Sequence, residues 1–359
     1  FSLSARWQKF LHKPLKDQLV GQLLTLSLAQ KFYAQAPDHA IVHEAVNTAG
    51  MLKKSWAKGL INTVLKQSLA DTDFRPGNVQ QQYEHPDWWL ALVKKDWPDD
   101  WTDIIRANNQ PPPLWIRCRP GLTDCPGRPH AQLSNARLIN DKQLPNDLLA
   151  QGHISVQDAA AQWAAHLLNP QNDELILDAC AAPGGKSCHL LELNPNIQLD
   201  ILEQDPQRLQ LIDDNLQRLN LTARRLIQGD AAEPDTWYRE PKYDKILLDV
   251  PCSASGVVRR HPDIKLLRQP EDMTLLTRLQ TRILQAAAKL LADGGRLLYV
   301  TCSVFRAENE RQIKRFLKNN PDFSEQVIDI PDSQKQQHGV QILPGRADMD
   351  GFYYCMLTK

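Results

Sequence analysis

No apolar run in this 359-residue chain approaches the length of a membrane-spanning helix, so no helical span is expected within it. No secretory signal is visible. The chain opens on Phe1 rather than Met, so further residues are expected upstream. Charge of one sign is also missing: 42 Lys and Arg balance 42 Asp and Glu. A zero net charge neither suggests nor excludes nucleic acid, because clustering on one face decides that. Paired metal-ligand spacing is absent, since the seven cysteines are scattered and include no CxxC. A structural zinc site is therefore not expected, and no metal is assigned. Cys118 and Cys125, with His130 nearby, read as unrelated thiols, and all seven cysteines as free thiols in a reducing cytoplasm. Internal repeats and low-complexity tracts are lacking too. What remains is an ordinary globular balance, 42% hydrophobic and 23% charged, long enough for two or three domains.

What is present is organised around Leu175-Ile-Leu-Asp-Ala-Cys-Ala-Ala-Pro-Gly-Gly-Lys-Ser187. A short apolar run ending on Asp178 has the length of a buried parallel strand. Small residues and Gly184-Gly185 follow, then a helical stretch over 186–193. Strand, tight turn and helix present a ligand at the carboxyl ends of an α/β sheet. Glycine there lets backbone approach the ligand or take positive φ. Gly-Lys-Ser, with Ile246-Leu-Leu-Asp249 as an acidic partner strand, admits a P-loop ATPase or kinase. That loop needs a glycine where this chain has Cys180, and Pro183 removes an N–H that a phosphate cradle uses. The three-glycine dinucleotide fingerprint is absent as well. A nucleoside without a long phosphate chain fits better, and S-adenosylmethionine is one.

Taken in order, residues 1–70 read as helical. Leu15, Leu19, Leu23, Leu24 and the leucines of 26–28 form an apolar stripe, and a second stretch over 40–69 is broken near Gly50 and Gly59. Lys53, Lys54, Lys58 and Lys66 read as a solvated helix face or an RNA-facing patch. Over 71–112, Trp88, Trp89, Trp97 and Trp101 are expected to lock short helices onto a neighbouring domain. Residues 108–113 read as a stiff connector. A strand at 114–118 opens a small α+β subdomain over 113–150, and 151–168 reads as a helix. From 173 onward, strands near 175–178, 198–203, 225–228, 245–249, 296–302, 326–330 and 352–357 alternate with helices near 186–193, 206–219, 272–292 and 306–319. That order is a mainly parallel, doubly wound sheet whose late strands close an edge in antiparallel fashion.

Acids recur where these strands run out. Glu203, with Asp205 competing, is placed to bind ribose hydroxyls beside the first strand. Asp230 follows the third strand, where a carboxylate can accept from an adenine amino group, and Asp249 ends the fourth. Two cysteines share this edge, in Asp249-Val-Pro-Cys-Ser253 and Thr301-Cys-Ser303. Either alone is ordinarily a small buried hydrophobe; both beside a nucleoside pocket fit nucleophilic chemistry. Cytosine C5 is too poor a nucleophile to take a methyl group directly. A thiolate adding to C6 pushes electron density onto C5, splitting one hard step into two. Asp249 can hydrogen-bond or protonate N3 as charge develops on the base.

With these residues on the page, a resemblance is clear. Asp178-Ala-Cys-Ala-Ala-Pro-Gly-Gly-Lys-Ser187, Asp249-Val-Pro-Cys-Ser-Ala-Ser-Gly256 and Tyr299-Val-Thr-Cys-Ser303 resemble the motifs of RNA cytosine-5 methyltransferases. So do Gly152-His-Ile-Ser-Val-Gln-Asp158, Arg259-Arg-His-Pro-Asp-Ile-Lys265 and Gly345-Arg-Ala-Asp-Met-Asp-Gly-Phe-Tyr353. The likeness covers about 110–359. The residues before it resemble the helical RNA-binding domain, related to an antitermination factor, of bacterial 16S rRNA methyltransferases of the Fmu/RsmB (Sun) type. The first helices of that domain are expected to be missing here.

The resemblance implies a Rossmann-like methyltransferase domain over 151–359, behind a helical RNA-binding domain (1–70), a Trp/Pro-rich connector (71–112) and the α+β subdomain (113–150). It makes Cys302 the nucleophile, Cys252 the residue that helps release product, and Asp249 and Lys186 their partners at the base. Asp178, Ala181, Ala182, Pro183, Gly184, Gly185, Lys186, Glu203, Asp205, Arg208, Asp230, Ala231, Asp249 and Pro251 are the candidate cofactor contacts. Arg117, Gln157, Asp158, Arg259, Arg260, His261 and Lys265 are the candidate RNA contacts. It further implies S-adenosylmethionine as cofactor, leaving as S-adenosylhomocysteine. The expected partner is 16S rRNA, free or in an early small-subunit particle, bound by a cytoplasmic monomer away from membranes. A non-catalytic RNA-binding module on the same fold is the remaining alternative, against which the presence of both thiols and all the pocket acids speaks.

Overall fold

Buried positions recur every three or four residues through the first seventy, and that spacing makes helices. The computed structural model describes residues 1–140, 143–239 and 241–359 and divides into two units, 1–90 and 91–359. In the first, helices Gln18–Ala34, Asp38–Met51 and Lys58–Ala70 bury Leu24, Leu28, Val42, Ala45, Ala49, Ile61, Val64 and Leu65 against one another. The first of these is capped by Asp17, which accepts from the Val20 amide. The leucine stripe is narrower than expected. Val20, Leu24 and Leu28 point inward, whereas Leu19 and Leu26 are exposed. The break falls over residues 52–57, and Gly59 sits inside the last helix.

In the second unit, Trp97 is buried and its indole Nε1 donates to the Val304 carbonyl at 2.7 Å. Asp96 beside it accepts from the Arg306 amide and from Arg311. The tryptophan and its neighbour thus tie the chain at 96–97 to residues 304–311 within this unit. Strands β1 (Leu114–Cys118), β2 (Arg128–Pro129), β3 (Ala136–Ile139) and β4 (Ile154–Val156) form a small antiparallel sheet in the order β2-β3-β1-β4. The continuous helix expected over 151–168 is thus corrected. Ile116 and Cys118 of β1 pair with Val156 and Ile154, so the β-branched start is drawn into a strand. The helix begins only at Ala159, capped by Asp158. The expectation for 113–150 includes Asp141 and Lys142, which lie outside the described residues. The reading of seven free thiols is also corrected. The turn through Gly121 folds Cys125 back onto β1, where it forms a disulfide with Cys118 (Cα–Cα 6.2 Å), and the other five cysteines are free.

The main sheet carries β5 (Leu175–Ala179), β6 (Gln198–Glu203), β7 (Arg225–Gln228), β8 (Tyr243–Asp249), β9 (Leu291–Thr301), β10 (Ser324–Gln326), β11 (Gln334–Lys335), β12 (Val340–Ile342) and β13 (Phe352–Thr358). Its order is β11-β12-β13-β9-β8-β5-β6-β7, with β10 also on β13. The five strands β7-β6-β5-β8-β9 are parallel and the late ones antiparallel. Successive residues face opposite layers: Ile176 packs with helices Ala159–Leu168 and Gly185–Leu193, Leu175 and Leu177 with helix Pro270–Leu290. Burial on both faces is why the strand reads as an unbroken apolar run. The strand expected at 326–330 ends at Gln326, and the helix expected from 306 starts at Glu310. The chain winds outward from β5 through β6 to β7, then returns to β8 on the other side. The crevice between β5 and β8 is therefore where a ligand belongs in such a sheet. Among the described residues no helix is long and apolar enough to cross a membrane.

Candidate active site

The turn after β5 is built by conformation as much as by side chains. Cys180 has φ +64° and Gly184 φ +93°. A Cβ on Gly184 would meet Ile212 at 3.1 Å in that strained backbone region, so only glycine fits comfortably. Glu203, at the end of β6, collects the turn: its carboxylate accepts from the amides of Ala182, Gln204 and Asp205. Arg208 Nη2 donates to the Ala182 carbonyl. Glu203, Arg208, Asp230, Ala231 and Pro251 line one pocket with Cys180, Gln204, Gly229, Leu279 and Ile283. Asp205 lines no part of it and caps helix Pro206–Leu219 through the Gln207 and Arg208 amides. Glu203 is thus the better placed of the two acids for a ribose. Leu279 and Ile283 lie one helical turn apart on Pro270–Leu290, and nothing in their local sequence marks them.

Asp178 is fully buried on β5. Burial first, then Asp249 and Glu203 nearby, push its carboxyl up to about 7, against the hydrogen bond from Ser187 Oγ. Its Oδ1 has no partner among the described residues. An orphaned buried carboxyl oxygen beside an acid-lined pocket fits a ligand that brings its own donors or positive charge.

Lys186 and Asp249 form an ion pair at 2.5 Å, and the Lys186 ammonium also lies 5.2 Å from the centre of the Phe352 ring. Burial works against the ammonium, but Asp249 outweighs it and Cys302 adds to the pull, so the amine sits above its usual value. At the ends of the adjacent strands β8 and β9, the sulfurs of Cys252 and Cys302 are 3.4 Å apart. The bond to Cys302, then burial, hold the Cys252 thiol well above its usual value.

The candidate RNA contacts divide differently from expectation. Arg117 is buried on Glu192 at 2.6 Å and also bonds Gln157 and the Gly185 carbonyl. Arg259 is buried on Asp350 at 2.6 Å, and Arg260 bridges Asp350 and Asp158, the latter at 2.7 Å. Burial and the neighbouring Asp350 raise Asp158 to about 6, against Arg260. Enclosed and neutralised guanidinium groups have no face to give a phosphate. Arg117 and Arg259 thus brace the fold from within, and Arg260 with Asp158 ties three motifs together. His261 is exposed, and Lys265 donates to Asn109 at 2.9 Å. Gly256 closes the arrangement: its amide donates to the Cys302 carbonyl, and its carbonyl accepts from Gly351. Sequence reasoning missed Glu308 and Asn309, which lie buried beneath both thiols. The Ser253 partner of Glu308 lies on a loop distant in sequence, and nothing in the local sequence marks either residue.

A doubly wound sheet with an acid-lined pocket at its switch point and no phosphate cradle defines a nucleoside-cofactor transferase of the methyltransferase class. Comparison with known proteins takes the assignment further. Residues 165–358 match the model described as 16S rRNA methyltransferase RsmB/F, residues 85–121 a ferredoxin-like domain of RsmF/B-like methyltransferases, and residues 2–70 the NusB family. The chain is 42% identical over 374 residues to ribosomal RNA small subunit methyltransferase B of Vibrio cholerae, covering 98% of this chain and 84% of that protein. Among solved structures it is similar to NSun6 from Pyrococcus horikoshii with SFG (28% identity, TM-score 0.54, 64% of this chain and 58% of that one). A methyltransferase homolog protein from Pyrococcus horikoshii shares the fold (21% identity, TM-score 0.68, 78% and 97%). The chain belongs to the RsmB/F family of 16S rRNA methyltransferases. Its cofactor is S-adenosylmethionine, which the pocket acids and the turn glycines fit.

Proposed function

We propose that this protein methylates C5 of a cytosine in small-subunit (16S) rRNA, through a transient bond between Cys302 and C6 of the base. The observation that carries the reading is the pair of thiols at adjacent strand ends, 3.4 Å apart, beside the Lys186–Asp249 ion pair. Cys302 sits at the end of a central strand buried on both faces, which holds a nucleophile at attack distance. Its thiolate adds to C6, and electron density moves toward N3 and C5. Asp249, paired with Lys186, hydrogen-bonds or protonates N3 and so steadies the charge that develops on the base. S-adenosylmethionine, when bound, supplies the methyl group that C5 takes. Solvent water takes the C5 proton, whose bonding electrons return to the ring and expel Cys302 as the thiolate. Cys252 donates a proton to the departing sulfur and so assists release. C6 is out of reach within a stacked helix, so the target base is unpaired or flipped out. The RNA is bound free or in an early small-subunit particle, by a monomer in the cytoplasm, with the helical unit as an RNA-binding module.

The test is to incubate the protein with S-adenosylmethionine and 16S rRNA, free and in small-subunit particles, and to map 5-methylcytosine at nucleotide resolution. One new site in 16S rRNA is expected. Methylation at an exocyclic or ribose position, or none in either substrate, would overturn the reading.

A further inference from the structure

Glu308 is fully buried between β9 and helix Glu310–Asn319, and no step of the proposed chemistry uses it. One carboxylate oxygen accepts from the Ser253 amide at 2.8 Å and from Gln280 at 3.0 Å. The other accepts from Ser253 Oγ at 2.6 Å and Ser303 Oγ at 2.5 Å. Ser253 and Ser303 are the residues that directly follow Cys252 and Cys302. A single buried carboxylate therefore ties together the backbones that carry the two sulfurs. Gln280 extends the clamp to the Pro251 carbonyl, just ahead of Cys252. Asn309 completes it on the other side, accepting from Thr301 Oγ1 at 2.6 Å and donating to the Ser303 carbonyl at 2.9 Å. A buried charge is costly unless several donors meet it. Four donors meet this one, and three of them come from the two thiol-bearing loops.

We propose that Glu308 is a positioning residue that sets the spacing of the Cys252 and Cys302 thiols. Leucine or valine would fill the same space, but only a multidentate acceptor holds both serines at once. The inference rests on the reading above for its consequence in catalysis, while the spacing itself can be measured without RNA.

The experiment has two arms on the full chain. In the first, wild type and Glu308→Gln are treated with glutathione disulfide and the Cys252–Cys302 disulfide is quantified by peptide mapping. One thiolate displaces glutathione to give a mixed disulfide, and the second displaces the other glutathione. Both cysteines are oxidised and the reagent is reduced. Closure should slow by about tenfold in Glu308→Gln, because the pair loses its fixed approach. In the second arm, methyl transfer should lose roughly 100-fold in kcat while KM for S-adenosylmethionine changes by less than about twofold. Glu308→Asp should recover part of the kcat. Should Glu308→Gln not fold, Ser303→Ala removes the Glu308 arm toward Cys302, together with the bonds of that hydroxyl to Ser253, Ser255 and the Phe305 amide, and should slow closure on its own. Closure at the wild-type rate in a folded Glu308→Gln or Ser303→Ala protein would overturn the inference. Slow closure with unimpaired methylation would uphold the spacing role and count against the thiol chemistry instead.

Discussion

Replacing Gly256 with alanine should separate the two thiols without touching either. The Gly256 amide bonds the Cys302 carbonyl and its own carbonyl bonds the Gly351 amide. A Cβ at this position would lie 2.1 Å from the Gly351 oxygen and 2.8 Å from its Cα. Ordinary carbon–oxygen contact begins near ~3.3 Å, so one backbone must retreat by roughly 1 Å. Gly256 shares a loop with Cys252 and a hydrogen bond with Cys302, so the retreat moves one sulfur against the other. Overpacking of this kind costs about 1–3 kcal/mol of stability. Misplacement of a reacting group by about 1 Å costs on the order of 100-fold in rate. Urea unfolding would read the first quantity, initial rates of methyl transfer to RNA the second, and calorimetry with S-adenosylhomocysteine would check the pocket. The expected outcome is a folded protein with near-normal cofactor affinity and a rate about two orders of magnitude lower. Wild-type turnover in a folded Gly256→Ala variant would refute the claim that thiol spacing limits the reaction.

Three further outcomes follow from the same geometry. Glu203→Ala removes charged acceptors worth about 1.5–3 kcal/mol each, and calorimetry should show S-adenosylhomocysteine affinity falling tenfold or more, by about that energy; unchanged binding would remove Glu203 from the site. Arg259→Ala leaves Asp350 short of a buried partner and should cost on the order of 3 kcal/mol in urea unfolding, with no change in the salt dependence of RNA binding; a flatter salt slope would restore Arg259 as a phosphate contact. His189 is held well below its usual value by burial, then by Arg117 and His166, and both ring nitrogens lack partners among the described residues. It stays neutral when folded and protonates near ~6.5 when unfolded, so stability should fall as pH drops below that value; in thermal melts between pH 7 and 5, His189→Phe should show a shallower fall than wild type, and parallel curves would contradict this.

The centre of the sheet was legible because β5 and β8 are apolar on both faces and carry an acid at or beside their ends. Leu175 to Asp178 and Ile246 to Asp249 announce themselves by composition, and their parallel order follows from the helices between them. Strand ends therefore read as site positions in the sequence itself. Roles that depend on depth were not legible. Arg117 and Arg259 have the composition of phosphate contacts, yet Glu192 and Asp350 meet them inside the protein, and those partners lie 75 and 91 residues away in sequence. Glu308 was hidden for the same reason, because its meaning comes from Ser253, 55 residues earlier. The strand Ile154–Val156 was read as helix because its ladder partner, Leu114–Cys118, is remote, and local periodicity carries no record of a remote edge.

The measurement that bears most directly on the account is the trapping of a covalent enzyme–RNA adduct. Each of Cys302→Ala and Cys252→Ala is incubated with substrate RNA and S-adenosylmethionine and run on a denaturing gel. With Cys302 as the nucleophile, Cys302→Ala should give no methyl transfer and no shifted band. Cys252→Ala should attack and transfer but release poorly, accumulating an adduct that survives denaturation. An adduct with Cys302→Ala and none with Cys252→Ala would reverse the two roles. Retained methylation with no adduct from either variant would contradict covalent catalysis altogether.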